Sequence, residues 1–181
     1  MTRLFEKYRD KIVPELQAEF KHTNRMAVGK LVKVVVSVGL GKINKEEKAV
    51  EEILATLGAI TGQKPITRRA RKSIANFNLR EGDLVGAFVT LRGKRMYEFF
   101  DRLVTFALPR VRDFRGLPLS GFDRSGNYSF GMAEQSVFPE VDYNKVEKVF
   151  GMNINLVCNA KNKEEAKALL VALGLPLDKG I

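Results

Sequence analysis

Cysteine and histidine are nearly missing from this chain. One cysteine, Cys158, cannot close a disulfide within the molecule, so no internal cross-link staples the fold and a reducing compartment is expected. Beside Asn155, Leu156 and Val157 it lies in an apolar stretch that suits a small buried thiol. One histidine, His22, has no cysteine or second histidine near it in sequence; zinc spacing is lacking, and a surface position is expected. With no nucleophile paired to a base and the carboxylates clustered on helix surfaces, the pattern of an active site is absent. Neither a cofactor nor a small-molecule substrate is expected.

Long apolar runs are also missing. No stretch approaches the roughly 20 apolar residues that cross a bilayer. The opening Met1, Thr2, Arg3, Leu4, Phe5, Glu6, Lys7 has neither the apolar run of a signal peptide nor the acid-free composition of a transit peptide. A cytoplasmic protein without a membrane partner is the expectation. The third shortage is local: from Gln63 to Arg80 there is no acid at all.

What is present points to a nucleic acid. The 181 residues are 45% hydrophobic, enough to bury a core for one domain, expected as an N-terminal helix at 3–20 and an α/β core at 31–181. The formal charge of +10 calls for a polyanionic partner, because clustered Lys and Arg displace counterions from phosphates.

Periodicity supplies the elements. Leu4, Phe5, Tyr8, Ile12, Leu16 and Phe20 form a helical stripe that bends at Pro14, and the acids between them favour core packing over a membrane surface. Leu31 to Val38 reads as a strand with Val32, Val34, Val36 and Val38 inward and Lys33 and Ser37 outward. A helix from Lys45 to Thr61 follows, capped by Asn44 and stopped by Gly62. A short strand is expected near 64–67, then an extended basic loop in which Ile66, Ile74 and Leu79 are core-bound. Leu84 to Arg92 alternates, with Val85, Ala87, Val89 and Leu91 on one face and Gly86, Phe88, Thr90 and Arg92 on the other. Gly93 to Ala107 is a helix burying Met96, Phe99, Phe100, Leu103, Val104 and Ala107. Pro109 to Gly131 reads as one long irregular loop, Ile154 to Asn159 as a strand, and Lys163 to Leu173 as a closing helix. This order suits an α+β fold: an antiparallel sheet with helices packed mainly on one face, plus long basic loops.

Gly39-Leu40-Gly41-Lys42 after a strand invites a nucleotide-binding reading, but the phosphate-loop spacing fails and Asn44 stands where a dinucleotide fingerprint needs glycine. The basic segment is more informative. Lys64, Arg68, Arg69, Arg71, Lys72 and Arg80 are interleaved with Asn76, Phe77 and Asn78, types that stack on and hydrogen-bond to unpaired bases. The polar sheet face with Lys33, Ser37, Phe88, Thr90 and Arg92 is a second candidate surface, unless Phe88 packs under the N-terminal helix.

Several separated blocks carry a family resemblance: Gly62-Gln63-Lys64-Pro65, Ala70-Arg71-Lys72-Ser73-Ile74, Val89-Thr90-Leu91-Arg92-Gly93, the run from Leu108 to Leu117, Gly126-Asn127-Tyr128 and Phe138-Pro139-Glu140. In order and spacing the chain resembles the bacterial large-subunit ribosomal protein family conventionally numbered five. The resemblance implies a structural protein, with no enzyme activity, that binds 5S rRNA and attaches it to 23S rRNA in the central protuberance. It also implies contact with P-site tRNA and a bridge to a protein of the small-subunit head. Carried over, 5S contacts fall on Lys33, Ser37, Gln63, Lys64, Phe77, Thr90 and Arg92. The loop nearest tRNA holds Arg69, Arg71, Lys72, Ser73, Asn76, Asn78 and Arg80, and the bridge holds Arg110, Arg112, Asp113 and Arg115. At Ser37 the family usually has Asn, whose amide reaches further and offers two donors where a hydroxyl offers one. A free RNA chaperone or regulator is the alternative within RNA binding, and a nucleotide-dependent enzyme using the Gly39 turn the alternative outside it.

Overall fold

A computed structural model describes residues 2–41, 43, 46–141 and 148–178. It has an α+β fold built on a five-stranded antiparallel sheet. The strands are β1 (Leu31–Gly39), β2 (Ile66–Arg69), β3 (Leu84–Leu91), β4 (Tyr128–Met132) and β5 (Met152–Cys158), in the order β2-β3-β1-β5-β4. The helices are α1 (Arg3–Lys7), α2 (Val13–Glu19), α3 (Glu47–Thr61), α4 (Gly93–Arg102) and α5 (Lys163–Ala172). The chain divides into two compact units.

The first unit comprises Met1–Val34, Leu91–Phe130 and Asn155–Ile181. Its helical stripes close a core as their spacing predicts: Leu4, Tyr8, Ile12 and Leu16 are buried, as are Met96, Phe99, Phe100, Leu103 and Ala107, then Ala166, Leu169, Leu170 and Leu173. Each large apolar side chain so buried contributes about 1.5–3 kcal/mol. Val104 is only half-buried. Cys158 is buried, and burial pushes its thiol up to about 12.

Two helices in this unit widen just before a proline, for one reason. A proline at position i has no N–H to donate and its ring crowds the carbonyl of residue i−4. Before Pro14, a π-helical turn spans Tyr8–Ile12 and Val13 N–H donates to the Tyr8 carbonyl. Before Pro109, a second spans Leu103–Ala107 and Leu108 N–H donates to the Leu103 carbonyl. The turn absorbs the missing bond within a continuing helix.

His22 departs from expectation. Its Nε2 lies 3.3 Å from Glu165 Oε1, and both side chains are about nine-tenths buried, at 9% and 10% exposure. Lone in sequence, it gains a carboxylate through the fold, from a helix 143 residues later.

The stretch expected as one irregular loop is also more ordered than that. It ends in β4, where Tyr128, Phe130 and Met132 are buried and Ser129 and Gly131 exposed. Tyr128 Oη donates to the Pro118 carbonyl at 2.8 Å, and Leu117 exchanges backbone bonds with Pro176 and Asp178, both 2.9 Å. Gly116 (φ +116°) permits that pairing, since a Cβ there would stand 2.8 Å from Asp178 N.

The second unit comprises Val35–Thr90 and Gly131–Ile154. Its core takes Val50, Ile53, Leu57 and Ile60 from α3, Val36 and Val38 from β1, and Ala87 and Val89 from β3. The described part of α3 begins at Glu47 and ends at Gly62 in the left-handed conformation (φ +67°); the expected cap Asn44 lies outside the described residues, as does Lys45. Apolar residues beyond the core do not follow their expected faces. Ile66, Ile74 and Val85 here, and Val32 in the first unit, are exposed; Ile66 lies on the edge strand β2 and Ile74 in the segment beyond it.

Candidate nucleic-acid interface

With Val36, Val38, Ala87 and Val89 turned to the core, the strand period of two leaves Val35 and Ser37 of β1, and Gly86, Phe88 and Thr90 of β3, half-buried on the opposite face. β2 joins that face. It pairs antiparallel with β3, Ile66 opposite Phe88 and Arg68 opposite Gly86, and directly opposed residues share a face. The strand therefore begins at Ile66, two residues later than its sequence suggests, and all four of its residues are exposed.

The residues of this face constrain one another. Gln63, just past the left-handed Gly62, directs its Nε2 to the Thr90 carbonyl at 3.4 Å. The Arg68 guanidinium carbon lies 5.0 Å from the centre of the Phe88 ring, within cation–π range. Opposite Arg68, a Cβ on Gly86 would come within 2.8 Å of the Val38 carbonyl oxygen; glycine lets β3 approach β1. Among the described residues Arg68 makes no ion pair.

Beyond β2 the basic segment is a self-bonded projection rather than an extended loop. Ala70 N–H donates to the Asp83 carbonyl at 2.8 Å and Gly82 N–H to the Ala70 carbonyl at 3.0 Å. Ile74 and Leu79 pair as a single antiparallel bridge below a 3₁₀ turn, Ala75–Phe77, closed by Asn78 at φ +50°. Arg69 Nη1 donates to the Gly82 carbonyl at 3.0 Å, Ser73 Oγ accepts from Glu81 N–H at 2.9 Å, and Asp83 Oδ2 accepts from Arg80 N–H at 2.8 Å. The Asp83 carboxylate and the Glu81 backbone thus serve the base of the projection. Its outer part offers Arg71, Lys72, Asn76, Asn78 and Phe77, all exposed, with the Phe77 ring 77% exposed at the tip.

Of the residues singled out from sequence, Ser37, Gln63, Lys64, Phe77 and Thr90 and the whole basic loop fall in this one unit. Lys33 and Arg92 belong to the first unit: Lys33 is half-buried on β1, and Arg92 is exposed at the start of α4. Arg110, Arg112, Asp113 and Arg115 also belong to the first unit and are exposed, with Val111 and Phe114 half-buried between them and Asp113 at φ +52°. The role of Arg68 on the sheet face was not read from sequence. Its period-two offset from Ile66 is the clue that pairing with Phe88 makes meaningful.

Comparison with known proteins gives a consistent result. Residues 24–80 match the model of the family described as Ribosomal protein L5, and residues 84–177 match the model of the C-terminus of that ribosomal protein family. The chain is 55% identical over 175 residues to the large ribosomal subunit protein uL5 of Anaeromyxobacter sp. (strain Fw109-5), covering 97% of each. It is 53% identical to the protein of the same name from Chloroflexus aurantiacus (strain ATCC 29366 / DSM 635 / J-10-fl), again over 97% of each. For that of Syntrophomonas wolfei subsp. wolfei the identity is 50%, over 97% of this chain and 99% of the relative.

Proposed function

The chain belongs to the ribosomal protein L5 family, and from that premise we propose that its open sheet face binds 5S rRNA and attaches it to 23S rRNA in the central protuberance. It is a structural constituent of the large ribosomal subunit and not an enzyme. The basic projection at 70–80 extends toward P-site tRNA, and the Arg110, Arg112, Asp113 and Arg115 surface toward a protein of the small-subunit head.

The observation that carries the reading is a face where Ser37, Gln63, Arg68, Phe88 and Thr90 stand together without a carboxylate, next to a projection whose cations are turned to solvent. Phosphate neutralisation supplies affinity without regard to sequence; side chains held in fixed positions select a folded RNA shape. Gln63 is held by Thr90, so its remaining amide positions are presented without further ordering. Ser37 contributes a hydroxyl where the family usually places an amide, a shorter reach at that point.

The test is binding of the full chain to purified 5S rRNA and to an unrelated RNA of equal length across a salt series. Selective binding is expected, with a log-log slope of about 0.7 to 0.9 per phosphate neutralised. Equal affinity for both RNAs, or a flat salt titration, would overturn the proposal.

A further inference from the structure

The open face holds a device that shape and charge alone do not require: a guanidinium laid over an aromatic ring at the sheet edge. Arg68 sits directly opposite Gly86, and Phe88 is its diagonal neighbour on the partner strand. Gly86 carries no side chain on the strand between them, and the Phe88 ring centre lies 5.0 Å from the Arg68 guanidinium carbon. The ring is half-buried and Arg68 exposed, so the cation lies over the ring while its side chain stays open to solvent. No carboxylate among the described residues competes for it.

A guanidinium differs from an ammonium in being planar, weakly hydrated and able to stack on both sides. Resting on Phe88 it has already lost rotamer freedom, so a ligand that stacks on its outer side meets a prepared surface. A phosphate would be served equally well by a freely moving Lys. The ligand that gains specifically from a fixed, flat cation is the flat face of an unpaired nucleobase.

We propose that Arg68 and Phe88 form the lower two layers of a three-layer stack whose top layer is an unpaired base of the bound RNA, making Arg68 a specificity-determining residue of the sheet face. This inference rests on the RNA-binding reading above.

The experiment measures affinity and salt slope of the full chain for 5S rRNA with Arg68→Lys, Phe88→Leu, Phe88→Tyr and the double variant Arg68→Lys/Phe88→Leu. Arg68→Lys keeps the charge and loses the plane; it should bind about tenfold more weakly with an unchanged salt slope. Phe88→Leu should show a similar loss, Phe88→Tyr should bind like the parent, and the double variant should be scarcely weaker than either single one, because the layers act as one unit. Wild-type affinity in Arg68→Lys, or fully additive losses in the double variant, would overturn the stack while leaving the functional reading in place. A parent chain that holds 5S rRNA no tighter than an unrelated RNA removes that reading and the stack with it. Phe88→Tyr and Arg68→Lys retain an aromatic ring or an exposed cation, so the result stands even where Phe88→Leu lowers stability.

Discussion

Asn127 and Cys158 are joined across 31 residues by one bond: the Cys158 backbone N–H donates to the Asn127 side-chain carbonyl at 3.2 Å. The other end of the same amide donates to Asp123 Oδ2 at 2.7 Å, and Asp123 Oδ1 accepts from the N–H groups of Ser125 and Asn127 at 2.9 and 2.7 Å. A single asparagine thus ties the turn entering β4 to the end of β5. Gly126-Asn127-Tyr128, one of the blocks behind the family resemblance, has a structural role here.

Asn127→Ala breaks both links and leaves the Cys158 N–H without its partner. Stability should fall by about 1–3 kcal/mol. Urea unfolding followed by circular dichroism checks this; an unchanged midpoint would show that the link is dispensable.

Acid should unfasten the same turn. The Asn127 side-chain amide, and then the backbone N–H groups of Asn127, Ser125 and Gly126, hold the Asp123 carboxyl below its ordinary value of 3.8. A lowered folded-state value means the stabilisation is complete above that ordinary value and is lost as pH falls through the lower, folded one. Asp123→Ala should therefore be less stable than the parent at neutral pH, with the gap narrowing below the ordinary carboxyl value. Denaturation midpoints over a pH series measure it, and a gap independent of pH would refute the assignment.

The Cys158 thiol should be inert in the folded chain. Burial, with the Asp123 carboxylate nearby, pushes it up to about 12, so little reactive thiolate exists in mildly alkaline buffer. A disulfide reagent such as Ellman's should react slowly with the native chain and quickly in denaturant. Equal rates would place the thiol at the surface.

Gly86→Ala drives a Cβ toward the Val38 carbonyl oxygen, 2.8 Å away, and should cost about 1–3 kcal/mol. Gly39→Ala, where a Cβ meets nothing within 4 Å, serves as the control and should be far milder. Comparable losses in the two variants would mean that close approach is not what selects glycine at position 86.

Much of the architecture was written locally. The stripe Met96, Phe99, Phe100, Leu103 and the run Val34, Val36, Val38 become buried faces because helix and strand periods are properties of neighbouring residues. β4 carried the same alternation, Tyr128, Phe130, Met132, but the glycine-rich stretch around it looked like a loop. The RNA-directed chemistry was legible as well, since an acid-free run from Gln63 to Arg80 has its charge whatever the fold does with it.

Pairing between distant segments is where local reading ends. Exposure of Ile66 follows from β2 lying at the sheet edge, and the pairing of His22 from the arrival of Glu165 on α5. The Arg68–Phe88 cation–π contact needs a particular register between two strands. Composition and periodicity are summed along the chain, so the sequence by itself determined the α+β elements and the cationic character. Which side chains meet is set by long-range packing, and only the tertiary structure decided it.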